Sequence, residues 1–112
     1  MRILKLARVL ALCFGVMVCS NANAKTTYIY EGMENTNFHV HVTYHDRGGI
    51  RVGWFKLKPQ VKQIGSWSCG RYGNELKCKE PNGITQHIYL SSDGNYLRGL
   101  AQRFKLIKKV NK

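Results

Sequence analysis

Polar and apolar residues alternate along most of the chain beyond residue 25, in short runs broken by Gly, Pro, Asn and Asp. A period of two is the signature of strands with one buried face, and the breaks are turn chemistry. Thr26–Glu31 reads as a first strand. Asn37–His45 is the clearest one, with Phe38, Val40, Val42 and Tyr44 on one face and His39, His41, Thr43 and His45 on the other. Asp46-Arg47-Gly48-Gly49 turns the chain, and Ile50–Leu57 returns with Ile50, Val52 and Trp54 facing the same core. That alternation leaves Phe55 and Leu57 on the outer face as an exposed pair.

Pro59 ends this strand because it has no N–H to give to a ladder. Ile64–Gly70 and Asn74–Lys79 form a hairpin around Arg71-Tyr72-Gly73, with Trp67, Cys69, Leu76 and Cys78 inward. Pro81-Asn82-Gly83 is a turn, Ile84–Ser91 a strand, and Asp93-Gly94 a hairpin signal whose register sets Leu90 opposite Leu97. Residues 95–110 read as one returning strand with Phe104 and Leu106 on one face. The rival reading is a helix with Leu97, Leu100, Ala101, Phe104 and Ile107 on one side, which interior Gly99 disfavours. The expected fold is all-β: a small antiparallel meander of about seven short strands, as a small barrel or two packed sheets.

The first 24 residues have a different texture. Arg2, Lys5 and Arg8 precede an uncharged run, Val9–Val18, and Asn21–Ala24 ends in a small-x-small pattern. This is the form of a cleavable secretory signal peptide, too short to remain as a membrane span, which takes about 20 apolar residues. Lipidation at Cys19 is disfavoured because Val18 precedes it. The expected mature chain, 25–112, is a single domain, periplasmic or secreted from a bacterium. It keeps Cys69 and Cys78, an even pair that reads as a structural disulfide in an oxidising compartment.

Charge narrows the partner. Three of the 18 Lys and Arg lie in residues 1–24, leaving 15 against 6 acids, a net +9. Such a field favours an anionic polymer, a lipid surface or an acidic protein. The candidate contacts are Arg47, Arg51, Lys56, Lys58, Lys62, Arg71, Arg98, Arg103, Lys105, Lys108 and Lys109. Several are interleaved with aromatic residues, as in surfaces that stack on bases or sugars. His39 and His41, at i and i+2 on one face, are a candidate zinc or copper pair with His87 the remaining third ligand. His45 lies ~13 Å along the strand from His41, too far to join them.

No catalytic motif with a defined nucleophile or metal spacing occurs, and no cofactor is implied. The expected function is therefore a small exported, non-enzymatic binding protein, inhibitor- or immunity-like or a binder of an anionic partner. The alternatives are a metal-binding periplasmic protein and a small basic secreted nuclease.

Overall fold

The computed structural model describes residues 24–80 and 83–111. All but the last residue of the expected signal peptide, and most of the expected Pro81-Asn82-Gly83 turn, lie outside them. Eight strands form among the described residues: β1 Lys25–Gly32, β2 Phe38–His45, β3 Ile50–Lys56, β4 Lys62–Tyr72, β5 Glu75–Lys79, β6 Thr85–Leu90, β7 Tyr96–Gly99 and β8 Gln102–Asn111. They make one closed antiparallel barrel in the order β8-β1-β2-β3-β4-β5-β6-β7, with β7 paired to β8. Each strand neighbours the next in sequence, so all seven connections can be tight turns or short loops. The closing pair joins the two ends of the domain, Phe104 opposite Gly32 and Asn111 opposite Thr26.

Eight strands enclose a space just wide enough for side chains to fill. Val40, Val42, Leu76, Cys78, Ile88 and Phe104 are fully buried within it. Full burial of each large aliphatic or aromatic group contributes about 1.5–3 kcal/mol. Phe38, Trp54 and Trp67 pack at one end, with ring centroids 5.8 Å and 6.4 Å apart. Tyr28 and Tyr44 meet edge to face at the other, 5.6 Å apart. Gly65 makes the tryptophan end possible, since a Cβ there would come within 2.6 Å of the Trp67 ring.

Cys69 stands directly opposite Cys78 on β4 and β5, and the two are disulfide-bonded with Cα atoms 4.0 Å apart. Leu90 stands opposite Leu97, the register expected from Asp93-Gly94. That turn is wider than a two-residue hairpin. Asp93 accepts hydrogen bonds from the Ser91 hydroxyl (2.6 Å) and the Asn95 N–H (3.0 Å), and Ser91 donates to the Tyr96 carbonyl (2.9 Å).

The expected seven strands become eight because residues 95–110 are not continuous. The chain reverses between β7 and β8 through Leu100 (φ 56°) and Ala101 (φ 61°). Both occupy the left-handed region, which costs an L-residue roughly 1–2 kcal/mol and is normally left to Gly or Asn. Neither of these two positions carries a turn-forming residue, although Gly99 stands beside them. The helical reading fails on the same segment, which is strand on both sides of the turn.

Two outcomes test this architecture. Cys78→Ala should lower stability by ~2–5 kcal/mol in denaturant titration, with thiol assays finding Cys69 and Cys78 oxidised in the parent. Deleting residues 103–112 removes the strand that pairs with both β1 and β7, so the cooperative melting transition should disappear.

Candidate functional site

The barrel interior is filled, so functional groups must lie on its outer wall or at its mouths. Three regions concentrate them.

The first is the outer wall of β6, β7 and β8. The tight reversal at Leu100-Ala101 sets Arg98 directly opposite Arg103, and Arg98 in turn faces Tyr89. The Arg98 guanidinium lies over the Tyr89 ring, 4.7 Å from its centroid. Glu34 reaches Arg103 from the β1–β2 loop, accepting from its Nε (2.6 Å) and its backbone N–H (3.3 Å). Those bonds from Arg103 hold the exposed Glu34 carboxyl below its usual range. A groove of about 500 Å³ runs here, lined by His87, Tyr89, Arg98, Leu100, Gln102 and Arg103 among others. Gln102 presents a buried amide oxygen with no hydrogen-bond partner.

The second region is the outer face of β1, β2 and β3. His39 and His41 point outward as the alternation implies, yet they are not a wet face. The His39 side chain is only 15% exposed, and its Nε2 lies 3.5 Å from the Glu31 carboxylate in a geometry too poor for a hydrogen bond. His41 lies 4.4 Å from the Phe55 ring, centroid to centroid. Phe55 and Leu57, expected to be exposed, are half-buried. The reason is Gly53: a Cβ at that position would stand 2.8 Å from the Phe55 ring, so only glycine lets Phe55 fold back against His41. Ile29, Leu57, Val61, Ile107 and Lys108 complete an apolar groove of about 340 Å³. Burial, then the charge of His39, pushes the His41 pKa down, so its ring is neutral at neutral pH.

His87, the third expected metal ligand, sits on β6 and bonds the Glu75 carboxylate. In the barrel order β6 is opposite β2, so the structure does not bring His87 to His39 and His41. Among the described residues no group of three His, Cys, Asp or Glu side chains converges.

The third region is the barrel mouth beside the 91–95 loop, a cleft of about 370 Å³ lined by Tyr28, Tyr30, Tyr44, Arg71 and Leu106 among others. Arg71 donates to the Gly73 carbonyl (2.8 Å) and to the Tyr44 hydroxyl (3.3 Å). Tyr30 donates to the Gly94 carbonyl (2.8 Å), and burial, with smaller effects from Tyr44 and Tyr28, pushes its pKa up to about 12.

The remaining expected cations are scattered. Arg47 is on the β2–β3 turn, and Arg51 bonds the Ser66 hydroxyl (3.1 Å) across β3 and β4. Lys56 and Lys62 bracket the 57–61 loop and Lys58 lies within it, and Lys105, Lys108 and Lys109 lie along β8. Lys109 sits over the Tyr28 ring, 5.6 Å from its centroid. Of the eleven basic residues singled out, two pairs stand directly opposite across neighbouring strands, Lys56 with Lys62 and Arg98 with Arg103, and the second has Lys105 further along β8. That pairing depends on the unsignalled turn. No protein-family model, curated protein or solved structure matches this chain.

The titrations have opposite signs. Tyr30 ionises later in the folded state than in the unfolded chain, so its contribution is whole below pH 10 and is lost as the pH climbs toward about 12. Tyr30→Phe should flatten that part of the alkaline stability profile and cost ~1 kcal/mol at neutral pH for the lost bond to Gly94. The depressed His41 pKa makes its contribution present above the unfolded value of 6.5 and lost as the pH falls through its lower folded value. Urea titrations from pH 7 downward should show a shallower acid-side loss for His41→Gln than for the parent.

Proposed function

We propose that this is an exported, non-catalytic binding protein whose partner is anionic and is engaged by the Arg98–Arg103 wall. The observation that carries this reading is that three local costs converge on one groove. Two arginines stand directly opposite each other, an arrangement that destabilises a sheet pair. Two non-glycine residues hold left-handed backbone in the turn between them. A buried Gln102 oxygen lacks a partner, which costs about 1–3 kcal/mol. Departures from local optimality cluster where a surface has been kept for a ligand.

The chemistry agrees with the geometry. Arg98, placed over the Tyr89 ring, offers a guanidinium fork suited to carboxylate, sulfate or phosphate. Glu34 offsets only part of the charge on this wall, where Lys105 follows Arg103 along β8. The non-catalytic reading is supported by the placement of the acid–histidine pairs. Glu31–His39 and Glu75–His87 stand on opposite walls and do not combine. Export is supported by the character of residues 1–24 and by the oxidised Cys69–Cys78 pair.

Retention on immobilised dextran sulfate tests the proposal. The parent should bind at low ionic strength and elute steeply with salt. Arg98→Ala and Arg103→Ala should each weaken retention by roughly tenfold, the value of one charge-assisted contact, whereas Arg47→Ala should not. Equal retention of all variants would move the site elsewhere. Separately, Ala101→Gly should relieve the turn and raise stability by ~0.5–1 kcal/mol in chemical denaturation.

A further inference from the structure

We propose that the apolar groove on β1–β3, with the 57–61 loop, docks the protein onto an anionic phospholipid surface. This site is separate from the arginine wall and goes beyond the function inferred from it.

Aliphatic side chains are left in water here without a partner. Val61 is 70% exposed and Ile107 49%, and both border a groove floored by Ile29, His41 and Phe55. Ile64, just beyond Val61, is a further exposed aliphatic side chain. Ile107 is pushed out of the ladder by a β-bulge between Leu106 and Lys108, so its projection is built into the strand pairing. Single exposed apolar residues are ordinary, but a contiguous apolar groove marks a surface that is covered in use.

The charge around this groove is mainly positive. Lys108 lines it, and Lys56, Lys58 and Lys62 flank Leu57 and Val61 in the adjoining loop. Glu31 is the nearby acid, placed between Lys105 and His39 in the strand register. Aliphatic groups set among lysines match the two components of peripheral lipid binding: apolar burial and attraction to anionic headgroups.

The groove suits a fluid lipid phase better than a peptide. A closed barrel has no strand edge to which an extended peptide could add, because β1, β2 and β3 are paired on both sides. Protein interfaces also carry about one hydrogen bond per 100–200 Å². The lining here offers little beyond the Lys108 ammonium and two imidazoles. A neutral His41 keeps the floor uncharged, as an acyl environment requires.

The barrel closes within residues 25–111, so the chain from Lys25 onward is the appropriate test protein. It should sediment with vesicles of phosphatidylcholine mixed with phosphatidylglycerol, more weakly as salt rises, and not with phosphatidylcholine alone. Val61→Asp and Ile107→Asp should each weaken partitioning by roughly tenfold, the loss of one buried aliphatic group, with the melting transition retained. Lys58→Glu with Lys62→Glu should weaken it as well. No sedimentation with the anionic vesicles at low salt would overturn the proposal. Parent-like binding by both aspartate variants would overturn it too. If Arg98→Ala and Arg103→Ala abolish vesicle binding while Val61→Asp does not, the lipid contact belongs to the arginine wall. The groove proposal then fails and the function proposed above stands. Loss of dextran sulfate binding in the arginine variants with vesicle binding intact would support two separate surfaces.

Discussion

The pairing of β8 with β1 is the constraint on which the rest of the molecule depends. Every other strand contact joins neighbours in sequence and can form locally. This one requires residues about 80 positions apart to meet, as in Asn111 with Thr26 and Phe104 with Gly32. Once it forms, the sheet has no edge and the interior is sealed. Phe104, in the closing strand, is among the largest side chains wholly removed from water. The entropy of bringing the two ends together is offset only when the interior is buried as a unit, so closure and core formation are one event.

Closure also dictates where function can lie. A filled eight-stranded barrel has no lumen for a substrate, and its backbone polar groups are spent on the ladders. What remains is the outward half of each alternating strand, the loops and the mouths. The two outer surfaces differ in how they depart from an ordinary solvated wall. Around Arg98 and Arg103 the departure is electrostatic and conformational, with like charges opposed across a turn of two strained residues. Around Phe55 and Ile107 it is hydrophobic, with Phe55 folded back over a glycine and Ile107 left against water at a bulge. β8 contributes to both, through Arg103 near its start and Ile107 at the bulge.

The disulfide fits the same economy of structure. It ties β4 to β5 at a directly opposed pair, in the part of the sheet diametrically across from β8 and β1. A domain this small buries a modest share of its surface, and a covalent tie that restricts the unfolded chain compensates. Cys78 is itself fully buried beside Leu76, so the bridge is continuous with the core.

Alternation of residue types determined by itself that the fold is all-β and which residues face inward, and the two cysteines beyond residue 24 were legible as a pair. It also placed Leu90 against Leu97, because strand periodicity and turn chemistry are local properties that each segment carries wherever it sits. Tertiary structure decided what depends on distant neighbours. The break at Leu100-Ala101 was not legible, since neither residue favours left-handed backbone and only the need to pair β7 with β8 holds them there. The opposition of Arg98 and Arg103 follows from that break. The histidines on β2 were legible as an outward face, but not as a half-buried one. Their cover comes from Phe55 across the sheet, and the groove they floor is completed by Ile107 from the far end of the chain. A strand's pattern says which way a side chain points; only the assembled barrel says what stands beside it.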